Sequence, residues 1–146
     1  MRADVLTKVV LRALIVVAGF NALSAVGGAV AMFLTDGLGM PHSFLDNSPF
    51  ASFFWPAFLL LVVIGGTQTL ATMLLLGRRV SALLWTAVAG FSMIIWILVE
   101  TIMIRGFSWL QGIYFTTGVV ELILVLALLG IVPWLPRIKL GTRENR

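Results

Sequence analysis

The chain has 146 residues, of which 60% are hydrophobic and only 11% charged, with a formal net charge of +4. Soluble domains carry about 25% charged residues, so this composition, with a mean hydropathy of +1.09, excludes a water-facing globule and indicates an integral membrane protein. No cysteine is present, which excludes disulfides, thiolate metal sites, iron–sulfur clusters and cysteine nucleophiles.

At about 20 residues per crossing, the length suits one membrane domain over residues 1–146, an all-α bundle of four antiparallel transmembrane helices. The first apolar segment runs from about 9 to 34. Its apolar core is longer than that of a cleaved signal peptide, and Gly27, Gly28 and Ala29 sit inside the run rather than after it. A connection over 35–48 follows, with Ser43, Phe44 and Leu45 patterned to lie on the interface as a short helix or lid. The second segment covers about 50–76, with Ser48 as its N-cap and Pro49 as its first helical residue. The tight Gly77-Arg78-Arg79 turn leads into a third segment over about 80–104, and a fourth covers about 109–132. Pro133 and Pro136 end it, leaving a tail over 133–146. These are continuous apolar runs rather than ten-residue alternating ones, which excludes a transmembrane β-barrel.

Lys and Arg concentrate on the cytoplasmic side of membrane proteins. Here Arg2, Lys8, Arg12, Arg78, Arg79, Arg137, Lys139, Arg143 and Arg146 fall on one side and Arg105 alone on the other. Both termini are therefore expected in the cytoplasm, in a multi-pass membrane protein. The pI near 10.8 reports this topology and contact with anionic headgroups; no nucleic-acid partner is expected. Phe50, Phe53, Phe54, Trp55, Phe107, Trp109 and Trp134 fall at the boundaries, where aromatic anchors belong.

Glu121 is the only ionisable residue of the fourth segment, and a carboxyl at membrane depth is expensive enough to mark a candidate site. At 1.5 Å per residue it lies roughly 18 Å from the cytoplasmic end of its helix, Asn21 roughly 16–18 Å, Gln68 roughly 13 Å and Ser92 roughly 18 Å. The expectation is a polar layer at the midplane, one member from each helix. Gln111, Tyr114, Thr117 and Gly118 share the face of Glu121, Ser24 and Gly28 share that of Asn21, and Trp85, Trp96 and Glu100 surround Ser92. In a structural reading Glu121 hydrogen-bonds Gln68 or Asn21 and fixes helix register. In a functional reading the stripes line a vestibule floored by Glu121, which holds a proton, a cation or a polar headgroup.

Glu100 lies little more than one turn from Arg105, and an interfacial ion pair is expected to account for it. It differs from Glu121 by roughly 13 Å in depth, which argues against a carboxylate dyad. In the outer connection, His42 with Asp36 or Asp46 is a conceivable metal set, but one histidine and two carboxylates read better as a surface turn. No catalytic residue, cofactor or metal site is assigned. One histidine cannot supply bis-histidine haem ligation, and no serine–histidine pair lies within the membrane.

Gly39-Met40-Pro41 in the outer connection, Ser48-Pro49-Phe50 before the second segment and Trp109-Leu110-Gln111 at the start of the fourth resemble features of a group of small bacterial four-helix membrane proteins, themselves loosely similar to the DoxX-like family. That resemblance implies an inner-membrane accessory protein near respiratory or quinone-linked assemblies and carries no catalytic residue with it. The small multidrug transporters place their membrane carboxylate in the first helix, where this chain has Asn21. The expected function is an interaction or accessory protein that oligomerises or docks with other membrane subunits. The alternative is binding or transport of a small amphipathic or cationic ligand, or a quinone-like lipid, with Glu121 as coupling group. An enzyme acting on a lipid or quinone is the least favoured reading.

Overall fold

A computed structural model describes residues 2–130 of the chain. The tail over 133–146, with Pro133, Trp134, Pro136 and its four basic residues, lies outside the described residues, as does the end of the fourth segment at 131–132. Four helices are long and apolar enough to cross a membrane, and no β-strand occurs among the described residues. They are α1 (Arg2–Thr35), α2 (Phe54–Leu76), α3 (Ala82–Ile104) and α4 (Trp109–Leu128). The composition reading of a multi-pass membrane protein is thereby supported.

α1 begins seven residues before the apolar run, because Asp4 and Lys8 are compatible with a helix even though they lie outside its hydrophobic stretch. Its other end is capped twice. The Thr35 hydroxyl accepts from Leu38 N–H at 2.8 Å and donates to Ala31 C=O at 2.7 Å, and Gly37 N–H reaches back to Met32 C=O at 3.0 Å. The chain then passes through left-handed backbone from Asp36 to Gly39. At Gly37 (φ +97°) a Cβ would stand 2.3 Å from the Phe53 ring, so only glycine lets that ring lie flat on the turn.

The middle of the connection forms a single 3-10 turn, His42–Leu45. Phe44 and Leu45 pack with Met40 onto a cluster of Met32, Phe53 and Ala57, while His42 and Ser43 stay exposed. α2 begins at Phe54, later than the Ser48-Pro49 signal implies. Ser48 is a turn residue instead: its hydroxyl accepts from Phe50 N–H at 3.2 Å and donates to Leu45 C=O at 2.9 Å. The proline in the first turn of α2 is Pro56, where a missing N–H is harmless. Phe54, Trp55 and Phe58 form an exposed aromatic group with Phe33, as an interfacial anchor requires. Phe53 is buried and Phe50 half-buried, so these two serve the interior.

Residues Leu60–Gly65 of α2 form a π-helical turn, and this turn passes against α1. A Cβ at Gly65 would approach Val26 Cγ2 to 3.1 Å and Val26 N to 3.7 Å, so its glycine permits the close crossing. α3 and α4 cross more closely still. A Cβ on Gly90 would lie 3.2 Å from Gly118 C=O, and one on Gly118 would lie 3.2 Å from Gly90 C=O.

The helices form a ring in which α1 touches α2 and α4, and α3 touches α2 and α4. Three apolar clusters fill it in succession. Leu14, Ala18, Leu75, Ala82, Leu83, Val125 and Leu128 form the first. Ala25, Ile64, Met93 and Ile97 form the second, with Leu60, Trp96 and Tyr114 against it. Met32, Phe53 and Ala57 form the third, under the connection. Leu23, Val16, Met73, Leu84, Ile95 and Ile123 point outward and remain more than half exposed, as lipid-facing side chains do.

Candidate functional site: a buried carboxyl node and an apolar cavity with a second carboxyl

Asn21, Gln68 and Glu121 meet between the first two apolar clusters, all three fully buried. Asn21 Nδ2 donates to Glu121 Oε1 at 3.2 Å, and Gln68 Nε2 donates to Glu121 Oε2 at 2.9 Å. The depth count thus places these three residues together correctly. The Asn21 Oδ1 and Gln68 Oε1 atoms, also buried, have no hydrogen-bond partner. Each such orphaned acceptor costs about 1–3 kcal/mol. Two donors on one carboxyl stabilise the join between α1, α2 and α4.

Ser92, expected at the same level, is only half-buried and contributes no hydrogen bond to the node. The buried polar residue of α3 is Thr86, whose hydroxyl donates to Ala82 C=O at 2.7 Å within its own helix. Thr117 likewise donates to Tyr114 C=O at 2.9 Å. The Tyr114 ring stacks on Phe20 with centroids 6.1 Å apart and packs on the second apolar cluster. The stripe above Glu121 is occupied by packed side chains at these positions.

The cavity lies elsewhere. About 170 Å³ of space sits beneath the connection between α1 and α2, between the ends of α1, α2 and α3. Met32, Met40 and Met103 line it with Phe44, Phe50, Phe53 and Leu60, and its polar contributors are Ser48, Trp96 and Glu100. Glu121 is not among its walls. Glu100 and Trp96 are four residues apart on α3 and so share a face. The ion pair expected between Glu100 and Arg105 is not formed. Among the described residues the one contact of this kind is His42 Nε2 with Asp36 Oδ2 at 3.9 Å, both side chains exposed. Arg105 instead ends α3 in left-handed backbone (φ +52°) with its side chain exposed.

The polar neighbours of the Glu100 carboxyl are the side chains of Gln111 and Trp96. Gln111 is held by a capping box at the start of α4. Its backbone N–H donates to the Ser108 hydroxyl at 3.4 Å, and its Oε1 accepts from Ser108 N–H at 2.9 Å. With Oε1 so engaged, its Nε2 is the end left for Glu100. Sequence reasoning missed both features, although each had a signal. Ser108-x-x-Gln111 is the capping-box spacing, and Glu100 follows Met93 and Ile97 at the i, i+4, i+7 spacing of the buried face of α3.

Of the three candidates in the connection, His42 and Asp36 come together and Asp46 does not. Asp46 is exposed and apart from the His42–Asp36 pair, the His42 ring leans on Phe53 with centroids 5.5 Å apart, and no group of three potential ligands occurs among the described residues. Comparison with protein-family models, with curated proteins and with solved structures finds no match.

Proposed function

We propose that this chain binds a small amphipathic molecule in the cavity beneath its outer connection, with Glu100 at the polar end of the site. The observation that carries the reading is a space of about 170 Å³ with almost wholly apolar walls, methionine and aromatic side chains among them, and a single carboxyl. Binding sites for small molecules are concave, mostly apolar and furnished with a few placed polar groups. Methionines let such walls adapt to the shape of what enters. The Asn21–Gln68–Glu121 node has a structural role: its donors come from two other helices, and its surroundings are packed.

The proposal includes an antiparallel bundle in the bacterial inner membrane with both termini cytoplasmic. In its favour, Leu14 of α1, Leu75 of α2, Leu83 of α3 and Leu128 of α4 share one cluster, and the described basic residues Lys8, Arg12, Arg78 and Arg79 fall at the helix ends on the side of that cluster. The DoxX-like resemblance is in keeping with this layout. Native mass spectrometry of the purified protein tests the binding function. A co-purifying amphipath is expected on the wild type and lost from Met103→Trp, which fills the cavity. Equal retention by a folded Met103→Trp contradicts the reading.

A second reading, as a docking subunit or homo-oligomer, has its own observation. Gly27 and Gly66 flank the Val26–Gly65 crossing, and a Cβ on either would meet nothing within 4 Å. Such a notch in two neighbouring helices lets a helix of another chain approach closely. Light scattering on Gly27→Leu and Gly66→Leu tests it: a smaller oligomer than the wild type supports docking at this notch, and an unchanged one opposes it.

A further inference from the structure

Resting on the cavity reading above, we infer that the molecule it takes is a hydrophobic amine, held as a cation by Glu100, and that Gln111 is the residue that positions Glu100 for it.

Three features of the site combine. The first is a carboxyl with no cationic partner. Glu100 is the one ionisable residue in the walls of the cavity, and no described Arg, Lys or His pairs with it. Its neighbours Gln111 and Trp96 supply neutral N–H donors only. A carboxylate in apolar surroundings is expensive unless paired, so the cavity lacks the positive charge that its own polar end calls for. A ligand ammonium supplies it, in a charge-assisted hydrogen bond of the strong kind.

The second feature is the aromatic wall. Trp96 lies one helical turn from Glu100 and lines the same space, with Phe44, Phe50 and Phe53 among the other walls. A cation placed beside an indole face gains from the ring quadrupole, and an apolar body gains from the phenyl and methionine surfaces. A neutral alcohol would use only the second of these.

The third is the fixing of the carboxyl. A half-buried glutamate on the last turns of a helix would ordinarily sample several rotamers. Gln111 limits that freedom, because its Oε1 is bound to Ser108 N–H at 2.9 Å and its backbone N–H to the Ser108 hydroxyl. Gln111 is 5% exposed, and its side chain is a neighbour of the Glu100 carboxyl. The capping box of α4 therefore positions a binding group on α3. Size adds one limit. A dry cavity of about 150 Å³ accommodates a benzene ring, so about 170 Å³ encloses one aryl or short alkyl unit with its amine, and any longer tail lies outside it.

The test uses a matched pair, 4-phenylbutylamine and 4-phenylbutan-1-ol, titrated calorimetrically into the full chain in lipid nanodiscs, with empty nanodiscs subtracted. The amine is expected to bind at least tenfold more tightly than the alcohol. Glu100→Gln should abolish that preference. Gln111→Leu should reduce it several-fold while leaving alcohol affinity unchanged, and Ser108→Ala, which weakens the cap without removing the amide, should retain most of it. If both probes bind equally, unaffected by Glu100→Gln but lost in Met103→Trp, the amine inference is overturned and the cavity reading stands. If neither probe responds to Met103→Trp, both fall.

Discussion

Gln68 Nε2 donates to Glu121 Oε2 at 2.9 Å and so joins α2 to α4, the two helices that face each other across the ring. Neighbouring helices are held by long apolar seams, whereas this diagonal is bridged by a side-chain bond at the centre. Asn21 adds the bond from α1. Removing one donor leaves a buried carboxyl half satisfied, which costs about 1–3 kcal/mol. Gln68→Leu should therefore lower the unfolding midpoint in mild detergent. Replacing the whole node by Asn21→Leu, Gln68→Leu and Glu121→Leu together should cost less than the sum of the single changes, because no polar group is then left alone. A strictly additive triple variant would refute the cooperative node.

Glycine at the α3–α4 crossing is required by geometry. A Cβ on Gly90 or Gly118 would meet the facing carbonyl oxygen at 3.2 Å, and backbone cannot move aside as a flexible side chain does. Gly118→Val should destabilise by about 1–3 kcal/mol, the usual range for overpacking. Gly39→Ala provides an informative contrast: nothing lies within 4 Å of its Cβ, but its φ of +73° should cost only about 1 kcal/mol. Thermal unfolding of the two variants separates contact from backbone strain.

The connection between α1 and α2 is seated by Gly37. Any Cβ there collides with the Phe53 ring at 2.3 Å and also meets unfavourable left-handed backbone. Gly37→Ala should displace Phe53 or unseat the turn. Because Phe53 lines the cavity, ligand retention should fall together with stability. Limited proteolysis in the connection is the check: faster cleavage than in the wild type is expected, and equal protection would argue against this seat.

The N-terminus of α4 depends on Ser108, whose loss removes one helix cap at about 1 kcal/mol. Amide exchange of Leu110, Gln111 and Gly112 should quicken in Ser108→Ala while that of Val119 to Val125 stays unchanged. Uniform quickening along the helix would show that the cap supports more than its own turn.

The four crossings were legible in the sequence because membrane spans announce themselves by length alone. Their ends were not, since Asp4 and Lys8 look like a boundary yet sit comfortably in a helix, and Ser48-Pro49 looks like a helix start yet closes a turn. Counting residues along each helix located Asn21, Gln68 and Glu121 at one level, because rise per residue is fixed. The same count misassigned Ser92, because depth carries no information about direction around the helix. The buried face of α3 runs through Thr86, Ala89, Gly90, Met93 and Ile97, and Ser92 lies beside it. That face also carries Glu100 inward, away from the Arg105 that adjacency in sequence seemed to offer. The cavity depends on the seating of a fourteen-residue connection, roughly, on three helix ends, and no local pattern encodes that.

An experimental density map of the full chain in lipid nanodiscs tests the central claim most directly. Ligand density is expected in the space between Met103, Phe53 and Trp96, with its polar end at the Glu100 carboxyl, and a packed interior is expected around Glu121. Bound density that reaches Glu121, with the space beside Glu100 closed by side chains, would contradict it.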